Sequence, residues 1–332
     1  MGVSSIGDLS RGLLLRQTQT KLKADLSRLS AELATGTRQD LRAHVQGDFR
    51  PLAAIDQRVS LLQARAQAGQ ETALVAEAMQ TALGSLGTAV QDIAPDLLMA
   101  GDATRAVGTG TLAQQATGLL DQAVAALNAQ AAGRALFAGA RSDGPALTGA
   151  DTMLAALRQE VDGLTDAASI RDRVFAWFDA PGGGFETQAY RGTTDPPGPV
   201  TATGPETPEI AINATDPALR QMLGGLALAA LCADADLPDR DSVAAMAGVR
   251  LMGATTALSD LQADLGQIQT RMEQAMTANA AERGTLDLAR SDITGADPYE
   301  TATALQDSQA RLETLYTITA RLSRLSLAEY LS

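Results

Sequence analysis

Aromatic residues make up only 3% of this 332-residue chain, which holds one cysteine, one histidine and one tryptophan. A single cysteine, Cys232, excludes a disulfide framework and a multi-thiol metal site. A lone His44 in a segment without acidic or thiol neighbours at ligand spacing leaves little for imidazole-based metal or triad chemistry. Only Lys21 and Lys23 are lysines, and 26 basic residues face 39 acidic ones, a net charge of −13. A chain with that balance has no basic stripe to neutralise phosphates, so no nucleic-acid partner is expected, and it repels anionic membranes. Long apolar runs are missing as well. The longest, Met222 to Cys232, is interrupted by Gly224 and Gly225 and falls short of the roughly 20 residues that span a bilayer. The stretch from Met1 to Asp8 has no charged segment leading into an apolar one, so export, if it occurs, is expected without a cleaved signal peptide. Large rings normally supply much of the area that a globule hides from water. A chain that uses Ala and Leu in their place predicts long helices packed closely side by side.

What is present agrees with that. Leu15, Leu22, Leu26, Leu29 and Leu33 recur at helical spacing, a seam on a helix from about Ser4 to Thr35 that Gly36 is placed to stop. Thr37 to Pro51 reads as a connector. From Pro51 to Ile93 apolar residues recur with helical spacing and no further proline. Some 40 helical residues would extend about 60 Å, so an elongated molecule is expected, with Pro95 breaking or ending this helix. A third helix is predicted from about Leu112 to Arg134. After a centre of different composition, helix resumes over Pro217 to Cys232 and Ser242 to Asp292. There Leu258, Leu261, Leu265, Ile268 and Met272 form a heptad seam. A last helix, Tyr299 to Leu331, carries Leu305, Leu312, Leu315, Ile318, Leu322 and Leu325 on its apolar face.

The centre, from about Ala138, is punctuated by Gly139, Gly144, Pro145 and Gly149. Two short helices are predicted, Asp151 to Leu164 and Ser169 to Phe178. Strand-prone pieces are predicted at Phe185 to Tyr190, Val200 to Thr203 and Glu209 to Asn213. Phe175, Trp177, Phe178, Phe185 and Tyr190 gather here and are expected to form the core of this part. The fold class expected is therefore mainly α: an elongated helical bundle of N- and C-terminal segments with a small mixed α/β domain inserted centrally. The expected divisions are residues 1–50 with 296–332 as a terminal assembly domain, 51–138 with 240–295 as a long-helix bundle, and 139–239 as the insert. By spacing alone the two terminal seams read as ordinary core, although neither helix is stable alone in water; their mirrored placement together with a family resemblance makes them the candidate assembly interface.

No chemistry competes with that reading. Gly182 to Gly184 and Gly108 to Thr111 lack the lysine and strand context of a phosphate loop. Asn213-Ala214-Thr215 fits a glycosylation sequon but is short. Acidic residues lie scattered on helical faces. No nucleophile–base pair or metal set can be named, so no catalytic, cofactor-binding or metal residues, and no enzyme activity, are expected.

A family resemblance rests on particular residues. The C-terminus reads Asp297-Pro298-Tyr299-Glu300-Thr301-Ala302, Leu305-Gln306, Gln309, Leu312-Glu313, Tyr316, Thr319-Ala320-Arg321-Leu322-Ser323, Leu325-Ser326-Leu327 and Tyr330-Leu331. It resembles the C-terminal helix of bacterial flagellins and of their relative at the hook–filament junction, the flagellin-like hook-associated protein. Leu29-Ser30 with Leu33-Ala34-Thr35-Gly36 resembles the end of the first flagellin helix. Asn128, then Gly133-Arg134-Ala135-Leu136-Phe137-Ala138-Gly139, and Tyr190-Arg191-Gly192 followed by Asp195, are similar to segments of the junction protein. The connector Arg38-Gln39-Asp40-Leu41 and Gly47-Asp48-Phe49-Arg50 departs from the filament pattern of a basic-Ile-Asn run with paired aspartates, which favours the junction relative. The resemblance implies an extracellular structural subunit of the flagellum, exported in unfolded form by a type III route. Its implied partners are copies of itself in a ring, an adjacent hook-associated protein, flagellin, and a cytosolic export chaperone covering the terminal helices. A filament-forming flagellin and a helical adhesin or binding module are the alternatives.

Overall fold

A computed structural model describes residues 6–100, 108–141, 143–195 and 210–331, without the side chains of 6–9 and 323–331. The elements in chain order are α1 (Ile6–Thr35), α2 (Leu41–His44), α3 (Arg50–Leu98), α4 (Thr109–Leu127), β1 (Gln130–Ala131), β2 (Arg134–Ala135), α5 (Ala150–Val161), α6 (Ala167–Asp179), a π-helical turn (Phe185–Ala189), α7 (Pro217–Leu231), α8 (Arg240–Thr294) and α9 (Pro298–Leu331). The chain is mainly α, and among the described residues β1 and β2 form the only sheet. It divides into two compact units, residues 1–60 with 281–332, and residues 61–280.

In the first unit, Gly36 takes φ +67 and its N–H returns to the Glu32 carbonyl at 2.8 Å, closing α1 where the sequence places its stop. α9 opens on Asp297, whose carboxylate accepts from the N–H groups of Tyr299 and Glu300 at 2.8 and 2.9 Å, with Pro298 at the first helical position. These two breaks are tied together. Thr37 bridges Gly295 in antiparallel fashion, Ala296 N–H donates to Gly36 O, and Arg38 N–H donates to Thr294 O. The start of α3 and the end of α8 are joined in the same unit by the ion pairs Arg58–Glu282 and Arg290–Asp56.

The second unit has one continuous apolar core running from Ala76 to Leu265. α7 lies within it. Asp216 caps this helix, Pro217 is its first residue, and every residue from Met222 to Leu231 is buried. A helix apolar on all sides needs neighbours on all sides, and α4, α5 and α6 pack against it. α3 and α8 run antiparallel here. A β-carbon at Gly69 would stand 3.3 Å from Met276 Cγ, one at Gly84 or Gly87 would meet Gln262, and one at Gly248 would collide with the Leu97–Leu98 backbone. The core holds residues from both the expected long-helix bundle and the expected insert, so that boundary does not separate two cores.

Several local expectations are corrected. Pro95 does not end its helix. It is exposed, between buried Ala94 and Leu97, and α3 continues to Leu98 because that packing holds the last turn. α4 stops at Leu127 rather than near Arg134. The Asn128 side chain instead takes the Leu147 backbone in both directions, accepting from its N–H at 2.7 Å and donating to its carbonyl at 3.1 Å. Ala132 and Gly133, both at positive φ, then turn the chain into the β1–β2 hairpin, the left-handed pair a two-residue hairpin loop requires. Phe185 to Ala189 is a π-helical turn and not a strand, and 210–213 has no regular structure. Val200 to Thr203 and Glu209 lie outside the described residues. Among the described residues, the mixed character expected of the centre reduces to one isolated bridge, Leu147 with Tyr190, and to this hairpin just before it.

The motif residues meet at one place. Thr193 N–H donates to Ala138 O, Ala140 N–H donates to Asp195 O, and Tyr190 Oη donates to Thr193 O at 2.7 Å. A β-carbon at Gly139, which sits at φ +66, would lie 2.8 Å from Asp195 O and also strike Thr193 O, and one at Gly192 would strike Ala138 O. Two chain segments therefore cross backbone to backbone, and only glycine fits.

Two outcomes follow from this packing. Gly139→Ala lowers stability by about 2–4 kcal/mol in urea unfolding followed by Trp177 fluorescence, whereas Gly133→Ala, also at positive φ but in open space, costs about 1 kcal/mol. Equal effects would show that the crossing is not tight. Cys232 is fully buried, its thiol donates to the carbonyls of Leu228 and Arg240, and burial pushes its pKa up to about 12. A thiol reagent at about pH 8 therefore modifies it only as the protein unfolds.

Candidate assembly surface

α1 and α9 lie antiparallel in the first unit. The Thr37–Gly295 bridge fixes one end of the pair, and Gln19 Nε2 donates to Tyr316 Oη at 3.2 Å farther along. That hydrogen bond, with Lys23 nearby, lowers the Tyr316 hydroxyl below its ordinary pKa. Near the tied end, the buried Glu32 carboxylate accepts from Arg28 at 3.0 Å and from the Gln39 N–H at 2.9 Å. Thr301 is buried beside this region of the pair.

The predicted seam residues meet unequal fates. Leu29 is buried, at 7% exposure. Leu15, Leu22, Leu26, Leu305, Leu312, Leu315 and Leu322 are half-buried. Leu33 and Ile318 remain exposed, at 41% and 47%. The side chain of Leu325 lies outside the described residues. The physical reason is geometric. A helix with one neighbour covers one side of its stripe, and residues at the edge of the stripe stay in contact with water.

Four large side chains missing from the predicted seam are also exposed: Leu13, Leu14, Tyr299 and Tyr316. They fall off the heptad spacing, so periodicity could not select them. The signal that could have found them is composition, since leucines next to one another on an otherwise polar face have no local partner. Around Leu13 and Leu14, Arg11 and Arg16 are exposed, as are Lys21 and Lys23 farther along α1. The pair thus presents an apolar surface, with basic groups on its α1 side, that the single chain leaves wet.

The central aromatic residues do come together. Trp177 and Phe178 stand 4.8 Å apart edge to face, Phe178 and Phe185 are 5.6 Å apart, and Phe185 stacks on Tyr190 at 6.5 Å. Burial raises the Tyr190 pKa to about 12. Phe175 stands apart from these rings. It is half-buried, with the Arg250 guanidinium 4.0 Å above its ring, while Arg250 also pairs with Asp179 at 2.8 Å and donates to Gln221 O. The arrangement packs a core and opens no aromatic platform to solvent, since Trp177, Phe178 and Phe185 are buried.

The remaining candidates resolve simply. His44 is exposed in the last turn of α2. Asn213 is buried, and its carbonyl oxygen accepts from both the Thr215 N–H and the Thr215 hydroxyl. Among the described residues no three His, Cys, Asp or Glu side chains stand together as a metal site, and no helix is long and apolar enough to cross a membrane.

Residues 250–331, most of α8 and all of α9, match the family model of the bacterial flagellin C-terminal helical region. The match spans about a quarter of the chain and supports the bacterial flagellin family. No curated protein matches the chain.

The α1–α9 contact separates two kinds of leucine. Leu29→Ala weakens the first unit by about 2–4 kcal/mol, seen as faster amide exchange in α9. Leu13→Gln changes its stability by less than about 0.5 kcal/mol. Equal protection in the Leu29 variant and the wild type would show that the two helices do not support one another.

Proposed function

We propose that this protein is a structural, non-enzymatic subunit of the bacterial flagellum that joins the hook-side assembly to the flagellin filament. The observation that carries the reading is that the segment similar to flagellin, α9, is half of a helix pair whose apolar side chains the single chain covers only in part. A second copy, or a flagellin, laid along Leu13, Leu14 and Ile318 would remove that surface from water at about 25 cal/mol per Å². The connector after Gly36 supports the junction role over the filament role. It departs from the filament pattern, and here it forms a short helix, α2, capped by Asp40.

The same surface sets the partners. Before export it calls for a cytosolic chaperone with an apolar groove. After export, outside the cell, it calls for the hook-associated protein on one side, flagellin on the other, and copies of itself around a ring. The chain has no disulfide to undo before passing a narrow channel unfolded, and helices with mostly local contacts refold quickly.

Deletion in a motile bacterium tests this. The expected outcome is intact hooks with unpolymerised flagellin in the medium, restored by the wild-type chain but not by Leu13→Gln with Ile318→Gln. Normal filaments in the deletion strain would overturn the reading. Long filaments formed by the purified protein alone would favour a filament flagellin, and ligand binding without any motility defect would favour an adhesin module.

A further inference from the structure

Within the second unit α3 and α8 leave an open groove of about 510 Å³, lined by Ala73 and Glu77 of α3 and by Met272, Glu273, Met276 and Ala280 of α8. Small residues make the room. Gly69 has no side chain, and a β-carbon there would stand 3.3 Å from Met276 Cγ, so Met276 rests against the α3 backbone. Met272 is buried and Met276 half-buried, which gives the groove a thioether floor. Glu77 and Glu273, one on each helix, are exposed along it. Other acids of this unit meet arginines: Asp179 pairs with Arg250, Asp234 with Arg158 and Glu186 with Arg220. Among the described residues the carboxylates of Glu77 and Glu273 pair with no cation. Residues 61–280 carry 12 Lys and Arg against 25 Asp and Glu, so the entire net charge of −13 belongs to this unit.

We propose that this groove binds a basic amphipathic helix of a partner protein. An apolar side chain of that helix enters over Met276 and Met272, and lysines or arginines on either side of it meet Glu77 and Glu273. The trough between two long helices has the shape that takes a third helix along it. Thioether side chains are unbranched and polarizable, so they adapt to whatever apolar group enters. The two free carboxylates, one on each wall, select the sign of the occupant's charge. An acidic helix would be repelled, and so would the same face of a second copy, which brings another unit at −13. A small apolar cation fits the charge but not the shape, because an open trough leaves much of it in water whereas a closed pocket hides most of a small ligand. The site lies in the second unit, uses no side chain of α1 or α9, and stands whether or not the proposed function does.

The test titrates the full chain, by calorimetry, with three probes: a synthetic amphipathic helix of leucine and lysine, its leucine–glutamate counterpart, and decyltrimethylammonium. Saturable binding of the leucine–lysine helix alone is expected. Glu77→Gln with Glu273→Gln weakens it roughly tenfold, as the loss of two charge contacts implies. Both carboxylates are exposed and unpaired, so this variant folds as the wild type does. Asp92→Asn with Asp121→Asn removes the same charge from exposed positions outside the groove and changes binding by less than about twofold. A second readout locates the site. Hydrogen peroxide converts a methionine thioether to the sulfoxide and is itself reduced to water. The bound helix is expected to slow this reaction at Met276 and leave it unchanged at exposed Met252, as read by mass spectrometry. No binding of the leucine–lysine helix, equal weakening by the two double variants, or Met276 oxidation that ignores the helix would overturn the proposal. So would binding of decyltrimethylammonium without the helix, which gives the groove to a small cation, or self-association that Glu77→Gln with Glu273→Gln abolishes, which gives it to a second copy.

Discussion

The approach of helix backbones at residues without side chains is the constraint on which the second unit depends. α8 touches the end of α3 at Gly248, where a β-carbon would overlap the Leu98 backbone, and α7 meets α8 at Gly225, where one would stand 2.6 Å from Leu251 Cδ2. Close approach of this kind lets short side chains such as Ala113, Ala116 and Ala123 of α4 reach their neighbours, and it explains how a core can form with so few rings. Dispersion and burial accumulate through many small contacts instead of a few large ones. It also accounts for α7, a helix without a polar face, which is stable only because its neighbours come near enough to cover it all round.

The aromatic cluster serves a different purpose in that unit. Trp177, Phe178, Phe185 and Tyr190 fill the region where the chain leaves helical geometry, and the glycine crossing of Gly139 with Gly192 closes beside Tyr190. Large rings suit an irregular site because each covers backbone that no regular neighbour reaches. Trp177 itself lies over Gly184, a position at which a side chain would run into the indole.

The first unit follows the opposite rule. Its principal contact is one helix against one helix, and a pair cannot hide two apolar stripes completely. The Thr37–Gly295 bridge, the Ala296 N–H donated to Gly36 O and the Glu32–Arg28 contact fix one end. Leucines farther along stay half-wet. The exposed apolar surface of this unit comes from incomplete burial of a single helix pair.

Spacing in the sequence was enough to place the long helices, because a stripe of Leu at three and four residues is a property of one helix and needs no partner. α1, α5, α6, α7, α8 and α9 lie where their seams, caps and breaks predict them, and the resemblance of the last helix rests on side chains that can be read in order. The hairpin at Ala132 and Gly133, the π-helical turn after Gly184 and the passage of α3 through Pro95 were not legible. In each case a distant group decides the local conformation: the backbone of Leu147 on Asn128, the indole of Trp177, and the burial of Ala94 and Leu97. The candidate surface divides in the same way. That Leu29 and Leu33 share a stripe is written in their spacing; that one is buried and the other exposed depends on how many helices stand beside α1. The sequence by itself determined which faces are apolar, since periodicity is local. Only the tertiary structure decided which of those faces are covered and that the net charge falls wholly within one unit, since coverage and unit boundaries are properties of how segments far apart in the chain pack together.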